Sequence, residues 1–178
     1  WAAFIFAGST FPQGYSSETG ADMLLTNAAA DINKPRGSLE SLDDVTAIFK
    51  AQPEETMLNF LKASIKTNKE ETEDIKKLHQ AYSDGRFEEL IPLLEETEQR
   101  TLKLVDAKYA KAMSDWLKND LLIRRNLAWL PEIRKQSAKQ STLFAVGIAH
   151  LPSEKGLIEL LRQEGYQVTP EPKVLIWQ

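Results

Sequence analysis

The sequence predicts a helix-rich α/β fold, a small sheet carried with long helices, and three observations lead to it. Residues 143–146 form a short continuous apolar run, Leu-Phe-Ala-Val, ending in Gly147-Ile-Ala-His150. That is the pattern of a strand covered on both faces. Next, Pro152 and Ser153 open a predicted helix with Glu154 in its first turn and Leu157, Ile158, Leu160 and Leu161 on its buried side. Gly165 ends it, and Tyr166 to Val168 return as a second strand, so residues 141–178 read as a β-loop-α-β unit, with a right-handed crossover if the two strands are parallel neighbours. Finally, apolar residues recur at intervals of three and four through most of residues 41–136, as a helical bundle requires.

In chain order, residues 1–8 read as a short buried helix or strand, followed by a loop marked by Gly8, Pro12 and Gly14. A helix is expected over Ala21 to Ile32, with Met23, Leu24, Ala28 and Ile32 toward the core, ended by Lys34 and Pro35. Pro35 to Leu39 reads as a strand-like return that puts Glu40 at its end. Ser41 with Asp44 three residues on is a capping arrangement for a helix carrying Val45, Ile48 and Phe49. A helix from Pro53, with Glu54 and Glu55 in its first turn, carries Met57, Leu58, Phe60, Leu61 and Ile65, making an αα-hairpin with its predecessor.

The charged stretch 66–77 is a solvated helix face, and Ile75, Leu78, His79 and Tyr82 carry a helix on to a stop at Gly85. Phe87 to Leu94 begin another. Leu102, Val105, Tyr109, Met113 and Trp116 predict one long helix, and Leu121 to Ile133 predict a further one bent at Pro131. On this reading residues 1–40, 41–136 and 141–178 are parts of a single lobe.

Composition narrows the function. The formal net charge of −4 provides no broad cationic surface, which argues against a nucleic-acid backbone binder. No apolar run reaches the roughly 20 residues that span a bilayer. With no cysteine, disulfides, thiolate zinc sites and cysteine nucleophiles are excluded together, and any metal must rest on His, Asp and Glu. The opening Trp-Ala-Ala-Phe-Ile-Phe-Ala-Gly without Met reads as a cut end. No Gly-x-Ser-x-Gly elbow stands out for a serine hydrolase.

His150, one of two histidines, sits where a predicted strand delivers its last side chain, the usual place for ligand and catalytic groups in open α/β sheets. Gly147 before it permits close approach of a backbone or ligand. More ordinary readings stand beside these. His150 can cap the strand end by hydrogen bonding, Glu40 can be a carboxylate at a helix start, and Arg125 with Asn126 can be a solvated or ion-paired stretch of an amphipathic helix. His79 reads as a surface residue.

Several segments occur in the order of a known family. Residues 20–44, with Gly20-Ala-Asp22, Lys34-Pro35 and Leu39-Glu40-Ser41, resemble its Gly-x-Asp, Lys-Pro and Leu-Glu-Thr segment, with Ser41 in place of Thr. Tyr82 to Gly85 resembles its Tyr/Trp-x-x-Gly helix end, and Leu121 to Ile133 its Arg-Asn segment. Val146 to Val168 resembles its carboxyl-terminal Gly-x-x-His segment. The chain thus resembles the carboxyl-terminal part of the TraB/GumN family, which includes the YbaP-like proteins and is related to the Tiki proteases.

That resemblance implies a Tiki/TraB-like or EreA/ChaN-like architecture and a metal-dependent hydrolase, a peptidase acting on a peptide or protein substrate, in the periplasm, cell envelope or outside the cell. Carried over by position, Gly147 and His150 match the second of two Gly-x-x-His motifs, Glu40 the Leu-Glu-Thr glutamate, and Arg125 with Asn126 the Arg-Asn pair. A divalent metal ion, of unspecified identity, would take His150 and Glu40 as ligands. Glu40 could instead be the base, Arg125 would stabilise an oxyanion, and Gly147 and Asn126 would support them. The family's first Gly-x-x-His motif and the glutamate after it fall upstream of Trp1, so the expectation is of half a site that associates with an upstream segment. The alternative is a noncatalytic binding or regulatory protein that retains the fold.

Overall fold

The computed structural model describes residues 20–170. The expectations for residues 1–8 and for the loop at Gly8, Pro12 and Gly14 lie outside them. The chain divides into two compact units, with the boundary between Lys118 and Asn119.

The described part of the first unit is helical. Helix α1 (Ala21–Asp31) and its C-cap Ile32 expose side chains that the periodicity assigned to a core: Met23, Leu24 and Ile32 are 44%, 59% and 66% exposed. The spacing identified the helix correctly, but spacing alone supplies no surface to cover its apolar side. Helix α2 (Leu42–Lys50) starts on the expected capping box. The Asp44 backbone N–H donates to Ser41 Oγ at 3.1 Å, and the Ser41 N–H donates to the Asp44 carboxylate at 3.0 Å. The Ser41 hydroxyl and backbone hold the Asp44 carboxyl below its usual range.

Helix α3 (Glu54–Asp84) runs for 31 residues and stops where Gly85 takes φ = 69°. The Arg86 N–H then reaches the Ala81 carbonyl and the Gly85 N–H that of Tyr82, the Schellman pairing that closes a helix on glycine. A 3-10 turn (Phe87–Glu89) leads into α4 (Leu90–Leu102), which packs along α3. Thr97 pairs with Asp74 and Thr101 with Thr67, so the partners run in opposite directions and the two helices are antiparallel.

The expected single helix through Leu102 and Trp116 is broken. Helix α4 ends at Leu102, and α5 (Ala107–Asp115) begins after Asp106, whose carboxylate accepts the Lys108 N–H at 2.9 Å. Asp106 favours the cap over the helix interior. The three- and four-residue spacing survives the break because Leu102, Val105, Met113 and Trp116 are all buried, with Ala63, Ala81 and Leu90, in the unit's core. Phe49 packs edge-on against Trp116, ring centroids 5.1 Å apart.

A π-helical stretch (Trp116–Ile123) crosses the boundary and continues into α6 (Arg124–Ser137). Pro131 does not end α6. Both Pro131 and Leu127, whose carbonyl loses the proline's missing N–H, are exposed, so water can satisfy that carbonyl. Helix α7 (Leu157–Gln163) packs on α6, and Leu157 and Leu160 of α7 are buried, as are Trp129, Leu130 and Ile133 of α6.

The predicted α/β class does not hold: no strand occurs among the described residues. Residues 141–147 are extended, with Phe144 and Val146 half-buried while Leu143 and Ala145 are exposed, the alternation of β backbone. No backbone hydrogen bond among the described residues ties this segment to another extended one. Residues 35–39 and 166–168 likewise make no strand pairing among the described residues. An apolar run dictates extended conformation, whereas a sheet also needs a partner in register.

The helix expected from Pro152 begins five residues later. Residues 151–156 form a loop in which Ser153 has φ = 83° and Gly156 is buried. A Cβ on Gly156 would sit 1.9 Å from the Pro152 carbonyl oxygen, so only glycine fits there. Gly165, at φ = 89°, ends α7 as expected, with the Tyr166 N–H on the Leu161 carbonyl.

Candidate functional site

His150 closes a 3-10 turn (Ile148–His150) in which its N–H donates to the Gly147 carbonyl at 2.9 Å. Only 6% of its surface is exposed. Facing it on α6 are Arg125, Asn126 and Trp129. Positions 125 and 129 are one helical turn apart and share a face, while 126 stands beside them. Asn126 is fully enclosed; its Oδ1 lies 2.7 Å from His150 Nδ1, and its amide nitrogen donates to the Lys155 carbonyl at 2.8 Å and the His150 carbonyl at 3.3 Å. One side chain thus holds the imidazole and pins both ends of the loop that follows.

Arg125 Nη1 lies 3.4 Å from His150 Nε2 and donates to the Leu121 carbonyl at 2.9 Å. Its guanidinium sits over the Trp129 ring, 5.0 Å from the centroid, within cation–π range. The same indole packs against the His150 ring at 4.5 Å, tilted by 43°. Trp129 therefore seats both polar groups and seals them from below by its own burial. Sequence reasoning missed it, although its place four residues after Arg125 was the available signal.

Of the expected site residues, Arg125, Asn126 and His150 meet in one cluster, with Gly147 at the start of the turn. A methyl at Gly147 would lie 3.7 Å from His150 Cδ2, ordinary contact, so the described atoms leave room for a side chain there. Glu40 belongs to the first unit, half-buried at a bend directly before the capping Ser41. His79 lies exposed on α3.

The first unit has its own buried polar group. Asp74 accepts from Arg100 at 2.5 Å, Thr97 at 3.1 Å and Lys77 at 3.2 Å. Burial raises its carboxyl, but these hydrogen bonds and the Arg100 charge outweigh that and leave it below the ordinary range. One turn earlier, Glu71 accepts from Thr67 and Thr101. The adjoining open depression, about 300 Å³, is lined by Lys69, Glu70, Glu73, Asp74, Lys77 and Arg100. Three cations and three anions cancel, so it presents no net field to a charged ligand. No three His, Cys, Asp or Glu side chains gather to hold a metal ion among the described residues, and none of their helices is long and apolar enough to cross a membrane.

The described residues thus set a buried histidine in a Gly-x-x-His turn against an Arg-Asn pair on a helix. The sequence profile of the TraB/PrgY/gumN family matches residues 1–170, and the chain belongs to that family. No curated protein and no solved structure matches the chain significantly.

Proposed function

We propose that the chain carries part of the active site of a metal-dependent hydrolase acting on peptide or protein substrates. The observation that supports this reading best is the Arg125–Asn126–Trp129–His150 cluster: a buried imidazole held at one nitrogen, with a cation beside the other. Groups of this kind do acid–base and charge-stabilising work in acyl transfer. Trp129 keeps the pair in a low-dielectric setting, where a cation stabilises developing negative charge more than it does in water.

His150 fits as one ligand of a divalent ion, because metal-binding imidazoles are held through their other nitrogen in just this way. A catalytic ion takes about three protein ligands, however, and the described residues supply no such group. They do not fit a metal by themselves, and the chemistry assigned here is therefore confined to the chain's own side chains. Arg125 would bind the developing oxyanion, and His150 would hold or move a proton at Nε2. Glu40 is proposed as a second ligand or base.

The test is hydrolysis of a fluorogenic peptide library by the purified protein with the upstream segment that would complete the site, with and without chelator. His150→Ala should lower the rate by about 100-fold or more, the usual weight of a positioned acid–base group. Arg125→Ala should lower kcat more than it raises KM. Full activity in His150→Ala would end the reading. The absence of a complete ligand group among the described residues favours one other reading, a noncatalytic binding or regulatory protein that retains the fold. Peptide binding without turnover under any metal supplement would select it.

A further inference from the structure

We infer that Asn126 is a positioning residue that holds His150 in the tautomer protonated on Nδ1, which makes Nε2 the nitrogen that works. The orientation of the Asn126 amide is not arbitrary. One of its terminal atoms lies 2.8 Å from the Lys155 carbonyl oxygen and 3.3 Å from that of His150, and only a nitrogen can donate to both. The oxygen must then be the atom 2.7 Å from His150 Nδ1. An amide oxygen only accepts, so the ring nitrogen facing it supplies the proton.

The other end of the ring agrees. Arg125 Nη1, 3.4 Å from Nε2, can only donate, so Nε2 meets it with its lone pair. The opposite tautomer would set N–H against N–H at one end and lone pair against lone pair at the other. It is also the tautomer that a free histidine side chain prefers in water, so the protein must impose the reverse, and it has the means. Asn126 is fully enclosed, its amide is committed to two backbone carbonyls, and Trp129 fixes the plane of the ring from the side. The consequence is directional: with Nδ1 occupied, any proton transfer or ligation by His150 goes through Nε2, toward Arg125.

The hydrolytic reading above enters only in what Nε2 does; which nitrogen carries the proton is independent of it. Two histidines in the whole sequence make the measurement simple, because exposed His79 provides an internal reference and His79→Gln assigns the pair. Long-range proton–nitrogen correlation on the full chain at neutral pH should place His150 Nδ1 in the protonated range and Nε2 in the lone-pair range. In Asn126→Ala the two signals should shift toward the reverse pattern, and Asn126→Asp, which keeps an acceptor oxygen, should retain the proton on Nδ1. A wild-type His150 protonated on Nε2 alone overturns the inference, as does an unchanged pattern in Asn126→Ala. Should that variant fail to fold, the wild-type and Asn126→Asp spectra decide.

Peptide hydrolysis on the same samples separates the two proposals. Loss of the tautomer in Asn126→Ala should bring a roughly 10- to 100-fold fall in kcat, the usual effect of removing a partner behind a working imidazole. The expected tautomer in a wild-type protein that hydrolyses nothing would remove the hydrolytic reading and leave the inference standing. The reverse tautomer in a protein that needs His150 for turnover would do the opposite.

Discussion

Both units bury polar side chains, and they do so for different ends. Along α3 and α4, Thr67, Glu71 and Asp74 meet Thr97, Arg100 and Thr101 in a seam of carboxylates, hydroxyls and one guanidinium. Near neutral pH Asp74, held below the ordinary carboxylate range, stays charged, so this part of the seam orders the helices without exchanging protons. In the second unit a buried imidazole and a buried amide meet a half-buried guanidinium, and the imidazole and guanidinium both lie against one indole. A neutral imidazole donates at one ring nitrogen and accepts at the other, so it can hold or pass a proton across its ring, which no side chain of the first seam does. Burial of polar groups therefore does not distinguish a site from a structural seam; the chemistry of the buried groups does.

The largest expected effect removes the support of the second cluster. Trp129 is buried beneath both Arg125 and His150, and Trp129→Ala should cost about 3–5 kcal/mol, the usual cost of such a truncation in a core. Urea unfolding measures it. If the loss is under about 1 kcal/mol, Trp129 is not the floor of the cluster and the contrast between the two units weakens.

Gly156→Ala should follow, at about 3 kcal/mol. Its methyl group would need space that the Pro152 carbonyl occupies, and the loop would have to move. That movement carries the Lys155 carbonyl away from the Asn126 amide, so the His150 side-chain nitrogen signals should shift along with stability. A stable variant with unaltered signals would mean that the loop does not set the geometry of the cluster.

Much of this was legible in the chain and some was not. The caps were readable because they are local: Ser41 with Asp44, Gly85 and Gly165 each act within a few residues. His150, Arg125 and Asn126 could be singled out from motif order, but the contact between them is a tertiary fact that motif order does not carry. The sheet was misread because the extended run at 143–146 specifies a conformation and not a partner. The long helix through Leu102 and Trp116 was misread because its spacing records which side faces the core, and Asp106 interrupts the backbone without changing that side. Trp129 went unnoticed because an aromatic at helical spacing looks the same whether it fills a core or seats a guanidinium.

In the first unit, Asp74→Ala should cost about 2 kcal/mol at neutral pH, less than a fully buried pair, because Arg100 is about one-third exposed and can turn to water. The pH dependence has a definite sign. A carboxyl whose folded value lies below its unfolded value contributes stability that is present above the unfolded value near 3.8 and is lost as pH falls through the folded one. Arg100, Lys77 and Thr97 face it throughout this window. The gap between wild type and Asp74→Ala should therefore narrow as pH drops below about 4. A gap that stays constant to pH 2 would show that the seam works by packing alone. Replacing both partners, Asp74→Leu with Arg100→Met, should recover most of the loss, since an apolar pair of similar size can stand in for a buried ion pair.

The smallest effect tests whether every buried polar group in the first unit belongs to its seam. Trp116 is buried in the core against Phe49, and its indole Nε1 has no hydrogen-bond partner among the described residues. An unpaired buried N–H costs about 1–3 kcal/mol, while exchanging indole for phenyl loses apolar contact of similar weight. The two terms oppose each other, so Trp116→Phe should change stability by less than about 1 kcal/mol in either direction. Urea unfolding of the variant beside Trp129→Ala makes the comparison direct, with two buried tryptophans, one in each unit. Trp129 also seats a cation and an imidazole, whereas Trp116 contributes only its volume and its edge contact with Phe49. A loss of 3 kcal/mol or more in Trp116→Phe would mean that Nε1 does meet a partner, and the first unit would then hold a second polar site at that indole.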